Sequence, residues 1–120
     1  MINIEIKPAI GQDGGWYRAT GHAAKGHEAV CEAVTVIANC LAANLVNTWD
    51  VRSDGTAEDG KCSIWWARSD RKGRGLNRAN LAAGFVYTGL RALAKEYPED
   101  VAVKWIRTSG IPQNKKEERK

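Results

Sequence analysis

The chain has little of what builds covalent or metal-held scaffolds. Its three cysteines stand at Cys31, Cys40 and Cys62, an odd number with no Cys-x-x-Cys pair, which argues against both a disulfide framework and a zinc knuckle. Reduced thiols in the cytoplasm are the expectation, and neither a metal nor another cofactor is implied. The opening run Met1-Ile2-Asn3-Ile4-Glu5-Ile6-Lys7 alternates where a signal peptide would be continuously apolar. No apolar run approaches a membrane span, so a soluble, unsecreted protein with no membrane partner is expected. Internal repeats, low-complexity linkers and RNA-binding fold signatures are missing too.

What is present suffices for one ordinary domain. A chain of 120 residues with 43% apolar content can build one sizeable core without disulfide or metal support, and residues 1–110 are read as that single domain. Residues 111–120 are a charged tail with too little apolar surface to fold. The 18 basic residues exceed the 14 acidic ones by four. Arg68, Arg71, Lys72, Arg74 and Arg78 cluster around Asp70, which suits either a solvated loop or an anionic partner.

Periodicity gives the order of elements. Ile2, Ile4 and Ile6 alternate with polar residues as a half-buried strand does, Gly11 to Gly15 carry turn chemistry, and Trp16 to Thr20 resume the extended pattern as a hairpin. Val30, Val34, Ile37, Leu41 and Leu45 mark one face of a helix over about His27 to Val46. Its alanines, Ala29, Ala33, Ala38, Ala42 and Ala43, leave room for a second helix. Trp49 to Ser53 reads as a short strand, Asp54-Gly55 and Asp59-Gly60 as brackets of a polar turn, and Lys61 to Arg68 as a strand. Trp65 and Trp66 must face opposite sides of that strand. A loop from Asp70 to Gly75 leads to Asn77 as N-cap of a second helix with Ala82, Val86, Leu90, Leu93 and Tyr97 on its apolar face. Val101 to Trp105 make a last strand. This order predicts an α/β two-layer sandwich, a mainly antiparallel sheet of four to five strands covered by two helices.

The chemistry concentrates in Thr20-Gly21-His22-Ala23-Ala24-Lys25-Gly26-His27-Glu28-Ala29-Val30-Cys31. A cysteine in or near the first turn of a helix meets backbone N–H groups and the positive end of the helix dipole, both of which favour thiolate over thiol. Cysteine acyl transfer also needs a proton carrier and oxyanion donors. His22 is the candidate base, and the N–H groups near Val30 and Cys31 are candidate donors. Glu28 is placed to orient a histidine, and Thr35, one turn after Cys31, to hydrogen-bond near thiol or substrate. Gly21 and Gly26 are candidate hinges. His27 reads as a solvent-facing or capping residue, and Cys40 and Cys62 as packed thiols. A packing cysteine at a helix start would have the same spacing, so these residues alone leave both roles for Cys31 open.

The segment "GHA…KGHEAVCEAVTVIA" resembles the signature of the ribosomal-processing cysteine protease family, Prp, a Gly-His-Ala motif after a strand followed by a cysteine at a helix start. The resemblance extends to about Arg107. It implies a cysteine endopeptidase with His22 and Cys31 as its catalytic pair, Glu28 in place of the family's aspartate and Thr35 in place of its serine. Glu32 stands where the family has a small residue, and the loop between histidine and cysteine is shorter than usual. The implied substrate is an N-terminal extension of a large-subunit ribosomal protein, or a capsid or scaffold protein if a phage encodes the enzyme. The implied assembly is a homodimer with helices at the interface and a mobile loop between histidine and cysteine. Other readings are a non-catalytic ribosome- or RNA-associated module using the basic loop, although a nucleic-acid partner is not favoured, and an inactive structural relative.

Overall fold

The protein is described by a computed structural model over residues 1–10, 13–48, 50–69 and 74–107. Its elements run β1 (Ile2–Lys7), β2 (Gly15–Thr20), α1 (Glu28–Val46), β3 (Val51–Glu58), β4 (Lys61–Arg68), α2 (Arg74–Glu96) and β5 (Val101–Trp105). The five strands form one sheet in the order β3-β4-β2-β1-β5, antiparallel except where β5 lies parallel to β1. This is the expected two-layer α/β architecture.

The alternation read in the strands decides which face is covered. Ile2, Ile4, Ile6, Tyr17, Ala19, Ile64, Trp66 and Val101 are buried, while Asn3, Glu5, Arg18, Thr20, Lys61, Ser63 and Trp65 are exposed on the opposite face. Onto the buried face α1 lays Val30, Val34, Ala38, Leu41 and Leu45, and α2 lays Leu76, Ala79, Ala83, Val86 and Leu90, all in one cluster. Burying a side chain of the size of Leu41 or Leu45 contributes about 1.5–3 kcal/mol, so these two stripes hold the helices to the sheet. Trp66 is fully buried and Trp65 is 43% exposed. Asn80 accepts from Trp66 Nε1 at 3.2 Å, accepts from Ala9 N–H at 2.9 Å and donates to Ala9 O at 2.8 Å, tying α2 to the chain after β1.

Several expectations are corrected. β3 continues through Asp54-Gly55 to Glu58, and only Asp59-Gly60 turns. β3 is an edge strand with largely exposed residues, so polar side chains that resemble a turn cost it nothing. α2 begins at Arg74, which puts Asn77 inside the helix, and the buried stripe starts at Leu76 instead of Ala82, while Tyr97 lies beyond the helix and is 42% exposed. Cys40 is exposed, not packed. Cys62 is half-buried, and burial pushes its thiol above the ordinary range. By length and composition α1 could cross a membrane, with 19 residues and a mean hydropathy of 1.8. Here its apolar stripe faces the core. Trp49, the basic loop from Asp70 to Gly73 and the charged tail lie outside the described residues.

Tyr17 is fully buried, and its hydroxyl finds no partner among the described residues. Burial, reinforced by the nearby Cys62, pushes its phenol far above the ordinary range. A buried hydroxyl without a partner carries its desolvation penalty uncompensated. Tyr17→Phe is expected to raise the unfolding free energy by about 1 kcal/mol in urea denaturation. A destabilised variant would mean that the hydroxyl is satisfied after all.

Candidate active site

The chain leaves β2 at Thr20 and turns at Gly21, whose φ of 101° is a left-handed conformation. Gly21 N–H donates to Gly60 O at 2.9 Å, which fastens the start of the loop to the β3–β4 turn. His22 is thereby set beside that turn, with Nε2 3.7 Å from Asp59 Oδ1. Both side chains are exposed and the separation exceeds a hydrogen bond, so this pair contributes little to stability. Gly60 is required here twice over. Its φ is 75°, and a Cβ at this position would stand 2.9 Å from His22 Nε2.

The rest of the loop is held from below. Ala23 N–H donates to Cys31 Sγ at 3.3 Å, and Ala24 N–H to Asp100 Oδ1 at 2.9 Å. Gly26, with φ 91°, gives its N–H to Glu28 Oε2 at 2.9 Å. His27 Nδ1–H donates to Asp100 Oδ2 at 2.6 Å. His27 occupies the N-cap of α1 and is half-exposed, as expected of a solvent-facing or capping residue, but its side chain makes no cap bond and is bonded to Asp100 instead. Cys31 follows at the end of the first helical turn, half-buried, with a backbone donor already on its sulfur. A thiolate accepts such a bond better than a thiol does.

His22 and Cys31 line one groove of about 470 Å³ between α1 and the β2–β4 side of the sheet. Ile2, Tyr17, Ala19, Val34 and Ala38 give it apolar walls, and Thr35, Asn39, Glu58, Asp59 and Lys61 add polar groups. Thr35 Oγ1 donates to the Cys31 carbonyl at 2.9 Å. Glu28 has Gly26 N–H as its partner, Val30 N–H is taken by the His27 carbonyl at 3.0 Å, and Glu32 is exposed. Among the described residues no group of three or more His, Cys, Asp or Glu is placed to hold a metal.

Sequence reasoning missed Asp59, Gly60 and Asp100. The first two looked like ordinary turn residues. Asp100 bonds residues 73 and 76 positions away, and no local pattern carries such a pairing. It is buried, at 2% exposure. The Ala24 N–H bond, then the His27 bond and charge, hold its carboxyl below the usual carboxylate range against the opposing effect of burial.

A depressed folded value means that this carboxylate stabilises the fold fully above the usual carboxylate range and ceases to do so as pH falls through the folded value. Asp100→Asn should therefore flatten the acid side of a thermal-unfolding profile measured as a function of pH. Parallel profiles for variant and wild type would contradict the assignment.

Residues 1–102 match the family described as cysteine protease Prp. No curated protein matches. Among solved structures, the chain resembles the essential ribosomal processing protease Prp from Staphylococcus aureus in complex with a covalently linked product peptide. That match has a TM-score of 0.68 and 18% identity over 88% of this chain and 100% of that chain. The same S. aureus protease with a substrate peptide gives a TM-score of 0.66 at 20% identity over 88% and 100%. SMU.848 from Streptococcus mutans gives 0.65 at 24% identity over 90% and 96%. At these identities the structures speak for the fold, and the family match, over most of the chain and including the His22–Cys31 segment, speaks for more: this chain belongs to the cysteine protease Prp family.

Proposed function

We propose that the protein is an endopeptidase with Cys31 as nucleophile and His22 as general base, and that it removes an N-terminal extension from a large-subunit ribosomal protein in the cytoplasm. The observation that carries this reading is the shared groove: a histidine and a cysteine from different elements line it, with Ala23 N–H on the sulfur. The S. aureus relatives are ribosomal processing proteases bound to peptides, which supports a peptide substrate here. Glu58 and Asp59 outweigh Lys61 on the groove, which favours a basic substrate segment. The free thiols suit a reducing compartment.

The steps follow from the groups present. As Sγ bonds to the scissile carbonyl carbon, the thiol proton passes to His22. The C–N bond then breaks, His22 returns the proton to the leaving amine, and an acyl thioester remains. Water, giving a proton to His22, adds to the thioester. The C–S bond breaks, releasing the carboxyl product and restoring the thiol. Glu28 and Thr35 support this pair indirectly, Glu28 by holding Gly26 at the end of the loop and Thr35 by holding the Cys31 carbonyl. Gly21 and Gly26 serve as the hinges of the loop, and their positive φ values support that role.

In the same reading the protein is a homodimer joined through its helices. Leu81 and Phe85, one turn apart on α2, are 64% and 77% exposed, an apolar surface that suits a partner helix. Phe85→Glu is expected to convert a dimer to a monomer in size exclusion with light scattering, and a monomeric wild type would refute the assembly. Incubation with a peptide spanning such an extension, followed by mass spectrometry, tests the chemistry. Cys31→Ala and His22→Ala should each lower cleavage on the order of a thousandfold or more. Cleavage that survives Cys31→Ala would sink the mechanism.

A further inference from the structure

Among the described residues Asp100 is the one buried charged side chain, lying beneath the exposed loop. Burying a carboxylate is costly unless it is paired and hydrogen-bonded, and the core gains nothing from one that an apolar residue would not supply. Its position is rigid, because its N–H donates to Tyr97 O at 3.0 Å and its carbonyl accepts Ile2 N–H at 2.7 Å where β1 and β5 begin to pair. Both of its side-chain oxygens point at the loop between the histidine and the cysteine. One holds Ala24 N–H at 2.9 Å, and the other holds His27 Nδ1 at 2.6 Å. Ala24, Lys25 and Gly26 are exposed, and the other hydrogen bonds of this part of the loop are local, Gly26 N–H to Glu28 Oε2 and His27 N–H to Ala24 O, both at 2.9 Å. Ala23, next to the first anchor, is the residue whose N–H reaches Cys31 Sγ. His22 precedes it.

We propose that Asp100 and His27 are positioning residues: acting as a pair, they hold the loop in the form that keeps Ala23 N–H on Cys31 and His22 in the groove. This rests on reading Cys31 and His22 as the catalytic pair. The two histidines then have separate duties. His22 lines the groove with the thiol, while His27 is bonded to the core carboxylate and is not part of that lining. Loosening a catalytic constellation acts on turnover more than on substrate binding, because the lost geometry matters most in the transition state.

The test uses the full chain with His27→Ala and His27→Asn, since half-exposed His27 can be changed without emptying the core. An asparagine amide nitrogen takes the place of Nδ1 and can still donate to Asp100. His27→Ala should lower kcat for an extension peptide about ten- to a hundredfold, with KM changed less than about twofold, and His27→Asn should recover most of the loss. Amide hydrogen exchange, read by NMR without substrate, should show Ala23 and Ala24 exchanging faster in His27→Ala and protected again in His27→Asn. Wild-type kcat and wild-type protection in His27→Ala would overturn the proposal. So would loss of cleavage as complete as in Cys31→Ala with no recovery in His27→Asn, which would make His27 the base. If Cys31→Ala still cleaves, the catalytic reading fails, and the exchange data still decide whether the pair holds the loop.

Discussion

The packing of α1 on the sheet is the constraint from which the candidate active site hangs. Val30 begins the buried stripe that continues through Val34, Ala38, Leu41 and Leu45. Because Val30 faces the core, the next residue, Cys31, is turned by the helical period to the edge of the helix, where sheet and helix part. Thr35 and Asn39 continue that edge at one-turn intervals and line the same groove. A shift of this helix by a single residue would bury the thiol or expose it completely. The core stripe thus decides that the cysteine is half-buried and open on one side.

The other half of the site comes from the sheet. His22 does not reach the groove through its own loop alone; the β3–β4 turn supports it through the Gly21–Gly60 hydrogen bond and the absence of a side chain at Gly60. The cysteine therefore belongs to a helix, the histidine to a loop, and the backing for that loop to a turn some forty residues later and a carboxylate at the start of the last strand. Such a division lets the thiol stay fixed in the core while the rest is adjusted by hydrogen bonds. The loop between them is short, which leaves few residues to order and gives each bond to it more effect.

Much of this was legible in the residues. The isoleucine alternation in β1, the apolar period of α1 and the strand from Lys61 to Arg68 are local patterns, and local patterns survive reading one residue at a time. His22 and Cys31 were also legible, because each sits at the end of a regular element. The extent of β3 was not, since an exposed edge strand places little demand on composition, and Asp54-Gly55 has the same chemistry in a strand as in a turn. The start of α2 was hidden by Arg74-Gly75, a pair that reads as loop until Leu76 and Ala79 are seen to be buried. Asp100 was invisible for a different reason: its role lies wholly in contacts across the fold, and Pro98-Glu99-Asp100 by itself spells only the end of a helix.

The parallel pairing of β5 with β1 has a consequence for how the molecule comes into being. Ile2 lies opposite Val101, so one of the earliest residues of the chain waits for one of the latest before the sheet is closed. The carboxylate that anchors the loop sits immediately before that closing strand. On a translating ribosome the thiol, the imidazole and most of the core would emerge well before Asp100 does. Until the last strand is free to dock, the loop that joins His22 to Cys31 in the nascent protein would lack its hold on Asp100.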